Sequence, residues 1–381
     1  MKIKNYFWLS LFLLPSLLFA QTPPASEIKP VFLSRDTIQL NGAVSPISQL
    51  DTLTQRIVLF KRQQEVELHY NEGVTALSEK RNKQAVEAFG KVIVLDPNFI
   101  KAYSGRATAY YELKDTTKCL NDWKQVVARD SSHELAHLAM ANIYFVQNKR
   151  EEAEKEYTKV VKINPNNAKA YFYRGEIRFE NAQYKEAITD FSKAILLDSA
   201  NGSAYNDRAS AKRRLLDYKG AIADYSQAIA IQPTSAYLYS NRGSAQVKLN
   251  ALEEGIADFS LAINLDPKNF LAYNNRGNAK FEKGDFAGAI KDFDKTIELK
   301  PDYAYAYNNR ASAKYKLNDL KGSLEDCNKA ISLNKDYGYA YLNRGIAKEL
   351  LRDQKGACAD WKVASKMGIK SAETYLNQDC E

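Results

Sequence analysis

Proline is scarce in this chain, with 10 among 381 residues, and histidine is scarcer, with three. The first shortage favours helices, because proline removes a backbone donor and breaks the helical ladder. The second leaves too few imidazoles for a typical catalytic triad. There is no glycine-rich phosphate loop and no nucleophile elbow, so no enzymatic activity and no cofactor are expected. Charge of one sign never accumulates. The 54 basic and 46 acidic residues are interleaved and leave a net +8 without the basic stripe that nucleic acid requires, so nucleic acid is not an expected partner.

What the chain does have is a leader, 24 tyrosines and a strict period. Residues 1–4 are basic, residues 6–19 are almost wholly apolar, and Ala20 precedes Gln21 and the Pro23–Pro24 pair. This is the layout of a signal peptide over 1–20, although Leu18 stands where a small residue is preferred. The apolar run is short for a bilayer and Pro15 interrupts it, so no stable membrane span is expected. No cysteine lies near the cleavage point to carry a lipid. An exported protein, periplasmic or extracellular, is the expectation. Losing Lys2 and Lys4 with the leader takes +8 down by two, to +6.

From residue 66 the chain repeats every 34 residues without insertion, with starts at 66, 100, 134, 168, 202, 236, 270, 304 and 338. Within residues 270–303, Tyr273, Gly277 and Lys280 fall on one face of a first helix, and Ala289, Phe293 and Thr296 on one face of a second. Lys283–Gly284–Asp285 turns the chain between them, and Pro301 ends the unit. Each unit is therefore a helical hairpin. Slot 4 holds tyrosine or histidine in all nine units, slot 8 Gly or Ala, slot 20 a small residue, and slot 24 an aromatic in eight, with Cys327 the exception. Small residues let helices approach, and aromatics fill the space between hairpins.

This aromatic–Gly…Ala…aromatic…Pro pattern at period 34 resembles the tetratricopeptide repeat (TPR) family over 306 of the 381 residues. The resemblance implies an all-α fold, a right-handed superhelix of nine hairpins with a concave groove. One slot departs from the family pattern: slot 7 carries arginine where leucine is usual. Arg106, Arg174, Arg208, Arg242, Arg276, Arg310 and Arg344 occupy it, and the same seven units carry aspartate at slot 23, namely Asp122, Asp190, Asp224, Asp258, Asp292, Asp326 and Asp360. The other two units have Glu72 with Ala88 and Met140 with Glu156. An ion pair between the two helices of each hairpin is expected, architectural rather than catalytic.

At the ends, residues 21–45 carry Pro, Ser and Gly without helical period and are expected to be a mobile linker. Residues 46–65 regain a helical pattern, with Ser48 and Asp51 as a capping box, and read as an N-terminal capping helix. Residues 372–381 form the C-terminal cap. Cys119 and Cys327 sit in packing slots as inert small hydrophobes. Cys358 and Cys380 are placed to form a disulfide in an oxidising compartment or to remain thiols.

His133–Glu134–x–x–His137 matches a zinc-peptidase signature and supplies the alternative of a metallopeptidase. Its register argues against that, since His137 falls in the aromatic packing slot and no third histidine follows. No metal is expected. The groove is the better candidate. In TPR proteins the first helices line the concave face. Slot 6 here holds Asn241, Asn275, Asn309 and Asn343 in four consecutive units, which resembles the asparagine ladder of O-linked N-acetylglucosamine transferases. There the amides hold the backbone of an extended peptide, since an amide both donates and accepts. Tyr237, Phe281, Tyr305, Tyr315 and Tyr339 lie at neighbouring groove slots. The expectation is a scaffold binding a protein or extended peptide, with glycan recognition by the groove tyrosines as a further alternative. The sequence leaves oligomeric state open.

Overall fold

The structure is a computed structural model that describes residues 31–40 and 42–380. The expected signal peptide, and residues 21–30 of the expected linker, lie outside the described residues. The chain divides into two compact units, residues 1–129 and 130–381.

The first unit opens with a small sheet. Val31–Phe32 (β1), Thr37–Leu40 (β2) and Ala43–Pro46 (β3) pair as an antiparallel meander in the order β1-β2-β3. This corrects the linker expected over 21–45: residues 31–45 are largely sheet. The reason is a local core, in which fully buried Ile38 meets Ile47 and Val58, with Phe32 and Leu50 packed against them. Thr52–Ser78 (α1) follows as one helix of 27 residues. The separate capping helix over 46–65 is thus also corrected, because no proline interrupts residues 52–78 and their single glycine, Gly73, packs on Phe89. Asp51 is itself the N-cap, accepting from the Leu53 and Thr54 N–H groups at 3.1 and 3.0 Å, in place of a Ser48–Asp51 box. Asn82–Leu95 (α2), Ile100–Glu112 (α3) and Thr116–Arg129 (α4) complete the unit as hairpins α1–α2 and α3–α4.

The second unit continues the alternation. Its first hairpins are Glu134–Val146 (α5) with Arg150–Ile163 (α6), and Ala168–Glu180 (α7) with Tyr184–Leu197 (α8). Gly202–Arg214 (α9) pairs with Tyr218–Ile231 (α10), and Ala236–Lys248 (α11) with Leu252–Leu265 (α12). Phe270–Lys283 (α13) pairs with Phe286–Leu299 (α14), and Ala304–Lys316 (α15) with Leu320–Leu333 (α16). Gly338–Leu350 (α17), Gln354–Lys366 (α18) and the closing Lys370–Asp379 (α19) end it. The 19 helices among the described residues make the fold all-α.

Every hairpin turn uses one left-handed residue at slot 15: Lys80, Lys114, Asn148, Ala182, Leu216, Asn250, Gly284, Asn318 and Arg352, with φ between 59° and 91°. The N–H after it closes back on the first helix, as Asp217 does on the Lys212 carbonyl at 2.9 Å. Close packing then depends on slot 8. A Cβ added at Gly277 would stand 2.6 Å from Phe293 Cε1, and Phe293 is fully buried. Successive hairpins of the second unit pack through their neighbouring helices, and successive first helices also touch, α7 with α9, α9 with α11, α11 with α13, α13 with α15 and α15 with α17. The first helices are drawn together in this way, so the face they share is the inner one.

Candidate functional site

The inner face is held in register by charge pairs. Each slot-7 arginine donates Nε and Nη2 to the two oxygens of the slot-23 aspartate sixteen residues on, at 2.5–2.9 Å, from Arg106–Asp122 to Arg344–Asp360. The aspartates are 1–4% exposed, so each pair is bidentate and largely out of water. The slot-4 tyrosine lies beneath the guanidinium, 5.2–5.8 Å from ring centroid to Cζ. A second cation joins from slot 11, which the expected Arg–Asp pairing did not include: Lys212, Lys280, Lys314 and Lys348 each reach their aspartate at 2.8 Å, as Arg178 does Asp190. In the second unit the arginine also binds backward through Nη1, to Thr158, Ser192, Ser226, Ser260, Asp294 and Asn328 of the preceding hairpin.

The two units without arginine are the two with histidine at slot 4. His69 meets Glu72 at 2.7 Å, and His137, 3% exposed, meets Glu156 at 2.5 Å. The other ring nitrogen of His137 faces the Ser131 carbonyl at 3.1 Å, while His133 Nδ1 accepts from the Ala136 N–H and Glu134 Oε1 accepts from Asn164 and Asn167. Both His137 nitrogens are thus engaged within the protein. The His133–Glu134–His137 side chains do not present a shared set of ligands, and among the described residues no group of three or more His, Cys, Asp and Glu could hold a metal.

On the inner face, three of the four ladder asparagines bridge to the hairpin before. Asn241 Nδ2 donates to Asn206 Oδ1 (3.2 Å), Asn309 Nδ2 to Asn274 Oδ1 (3.2 Å), and Asn343 Nδ2 to Asn308 Oδ1 (2.9 Å) and Ser312 Oγ (3.0 Å). Their own carbonyl oxygens remain as acceptors. Asn275 differs, because the residue 35 positions before it is Ser240, whose buried hydroxyl has no hydrogen-bond partner. Among the described residues the Asn275 amide makes no side-chain hydrogen bond. Flanking the amides, Tyr237, Tyr305 and Tyr339 are 47%, 47% and 55% exposed. Tyr305 and Tyr339 belong to a row of rings, Phe270–Tyr303–Tyr305–Tyr337–Tyr339, with centroid spacings of 5.2, 5.3, 4.8 and 6.4 Å. The Tyr337 hydroxyl accepts from Asn308, which ties ring row to amide row. Phe281 and Tyr315 are half-buried and line a shallow recess beside them.

Where the ladder would extend to repeat five, Asp207 replaces asparagine and accepts from Asn206 at 2.9 Å. Burial raises its carboxyl to about 6 against that hydrogen bond. Glu176, one hairpin earlier, is raised to about 8 by burial and then by the Asp207 and Glu180 carboxylates, with Arg150 opposing. Away from the inner face, burial pushes the Cys119 and Cys327 thiols up to about 12, which suits inert packing residues. Cys358 and Cys380 are joined in a disulfide that ties α18 to α19.

Stacked helical hairpins pinned by internal charge pairs, with an amide-lined inner face, define an α-solenoid of the scaffold class. Residues 50–206 match the family described as the tetratricopeptide repeat protein 21 C-terminal ARM domain, residues 217–250 and 277–318 match the TPR repeat, and residues 236–269 and 304–337 match the tetratricopeptide repeat. This chain is a tetratricopeptide-repeat protein, and as such an interaction scaffold. A tetratricopeptide repeat protein from Parabacteroides merdae is similar in structure at 18% identity and TM-score 0.53, over 66% of this chain and 100% of that one. The Cut9–Hcn1 hetero-tetramer of the APC/C gives 14% and 0.51 over 83% and 76%, and MamA 24% and 0.43 over 45% and 94%. At these identities the likeness to the first two is one of fold. No curated protein matches the chain.

Proposed function

We propose that the inner face of the second unit binds an extended segment of another protein, in the cell envelope or outside the cell. The observation that carries this reading is the amide row: Asn241, Asn309 and Asn343 are held by the preceding hairpin with acceptors to spare, and half-buried Asn275 makes no hydrogen bond through its amide among the described residues. Pre-positioned amides suit a peptide backbone, whose units alternate donor and acceptor, and their fixed rotamers lower the ordering cost of binding. The exposed tyrosines supply contact area for side chains of either polarity. Export follows from the leader layout and suits the disulfide, which persists in oxidising compartments.

The test is selection from a random-peptide display library on the mature chain, followed by affinity measurements on a variant carrying Asn241→Ala, Asn275→Ala, Asn309→Ala and Asn343→Ala. Selected peptides should lose at least about tenfold in affinity while the helical circular-dichroism signal and melting curve stay in place. Unchanged affinity would assign the amides to spacing the helices. The row of rings supports a second reading, glycan stacking on the tyrosines. Oligosaccharide binding that survives the four asparagine changes but disappears with Tyr305→Ala and Tyr339→Ala would favour it.

A further inference from the structure

Beside the amide row lies a cavity of about 190 Å³ formed by successive hairpins α13 to α17. Phe281, Tyr315 and Ile346 are its apolar walls, and Ser312, Asn343 and Lys316 are its polar ones. A water occupies about 30 Å³, so the space suits one large aliphatic or aromatic side chain. Asn343 spends its Nδ2 on Asn308 and Ser312 and leaves its carbonyl oxygen to accept from a visiting backbone.

Among the residues that line the recess, Lys316 is the charged one. Lys314, two residues before Lys316, is neutralised by Asp326 at 2.8 Å. Lys316 is exposed, rests 5.4 Å from the centroid of the Tyr315 ring, and forms no ion pair among the described residues. Glu282 and Glu349, on the first helices to either side, are not paired with it. An apolar recess, a fixed acceptor and a cation without an acid therefore meet at one point of the groove. Each asks something different of an occupant: a bulky apolar side chain, a backbone N–H and a negative charge.

We infer that the recess is a specificity pocket for an acidic–apolar motif, in which a Leu-, Met- or Phe-like side chain of the bound segment fills the cavity and an adjacent Asp or Glu pairs with Lys316. This rests on the groove reading and narrows it to one class of partner sequence. The pairing is between a partly solvated ammonium and a carboxylate, so it selects more than it holds, and it weakens with salt.

The experiment uses the full mature chain and display libraries whose peptides are blocked at the C-terminus. Wild type should enrich peptides with Asp or Glu next to a large apolar residue. Their C-terminally amidated synthetic forms should bind, and should lose about tenfold or more on Lys316→Glu, with Lys316→Gln intermediate. Reselection on Lys316→Glu should enrich Lys or Arg at the same place, and on Phe281→Ala should shift the apolar position to larger rings. Enriched peptides that lack an acidic neighbour, affinity indifferent to Lys316→Glu, or binding that requires a free α-carboxylate each overturn the inference while leaving the groove reading intact. Failure to enrich any peptide, or affinity indifferent to the four asparagine changes, overturns the groove reading and the pocket with it.

Discussion

Arg276 shows how much chemistry one slot can concentrate. It chelates Asp292, covers the Tyr273 ring and reaches back to Ser260 at 3.0 Å. Removing it leaves a carboxylate 3% exposed with only Lys280 opposite. Arg276→Met should therefore lower stability by about 3 kcal/mol, measured from the urea transition, and adding Asp292→Leu should restore most of it, since a buried pair costs more when broken than when replaced. Leu216 is the converse case, a branched side chain held at φ 64° in a turn position that Gly284 fills without strain and Asn148, Asn250 and Asn318 tolerate. Leu216→Gly should stabilise by about 1 kcal/mol. Glu176 and Asp207 set a pH dependence. Their folded values, about 8 and about 6, lie above the ordinary 4.5 and 3.8, so the folded chain binds the extra protons. Their contribution is full below about 4 and is lost as pH rises, by about 6 for Asp207 and by about 8 for Glu176. A Glu176→Gln, Asp207→Asn variant should show a flatter stability profile over that window in pH-stepped thermal melts. At this scale the Arg–Asp pairs were legible because both partners vanish together in the units containing Glu72 and Met140. The histidine–glutamate pairs of the two repeats without arginine and the Asn206–Asn241 bridge were not, since the first needs a donor to be traced to its carboxylate and the second spans 35 residues of sequence.

At the scale of the element, the helices follow from the period and the ends do not. The 34-residue repeat places each hairpin, yet it also suggests a boundary at residue 66 that α1 ignores, because a periodic pattern marks where packing recurs and not where a helix must stop. The meander escaped for a different reason. Its strands are two to four residues long, too short for alternation to show, and one fully buried residue, Ile38, gives it a core. The C-terminal cap is stapled more firmly than packing requires. Trp361 stacks on Tyr375 at 4.8 Å, Ala372 is buried, and the disulfide closes over a separation of 22 residues. Cys358→Ser should cost about 3 kcal/mol at most, felt first in α19. Hydrogen exchange would show residues 370–379 losing protection before α17 does, and equal loss in both would mean that the cap and the last hairpin open as one.

For the molecule as a whole, the repeat made the family recognisable long before any side chain was placed, because slots 4, 8, 20 and 24 must recur wherever hairpins stack in the same way. The proposed partner is written less plainly, in the hydrogen bonds left open once the hairpins have satisfied one another. Those openings are neutral amides apart from Lys316 and the Glu176–Asp207 pair, so affinity for the amide row should barely change with ionic strength, while the acidic–apolar preference should fade. Titrations at low and high salt on selected peptides would separate the two. The backward reach of the arginines has a mechanical consequence. From Arg174 to Arg344 every pinned hairpin is tethered to its predecessor by the same guanidinium that closes it, so the second unit, pulled from its ends, should give way in bursts of several hairpins and not peel one at a time. Replacing Ser226 and Ser260 by alanine should divide those bursts into smaller steps in a single-molecule force trace.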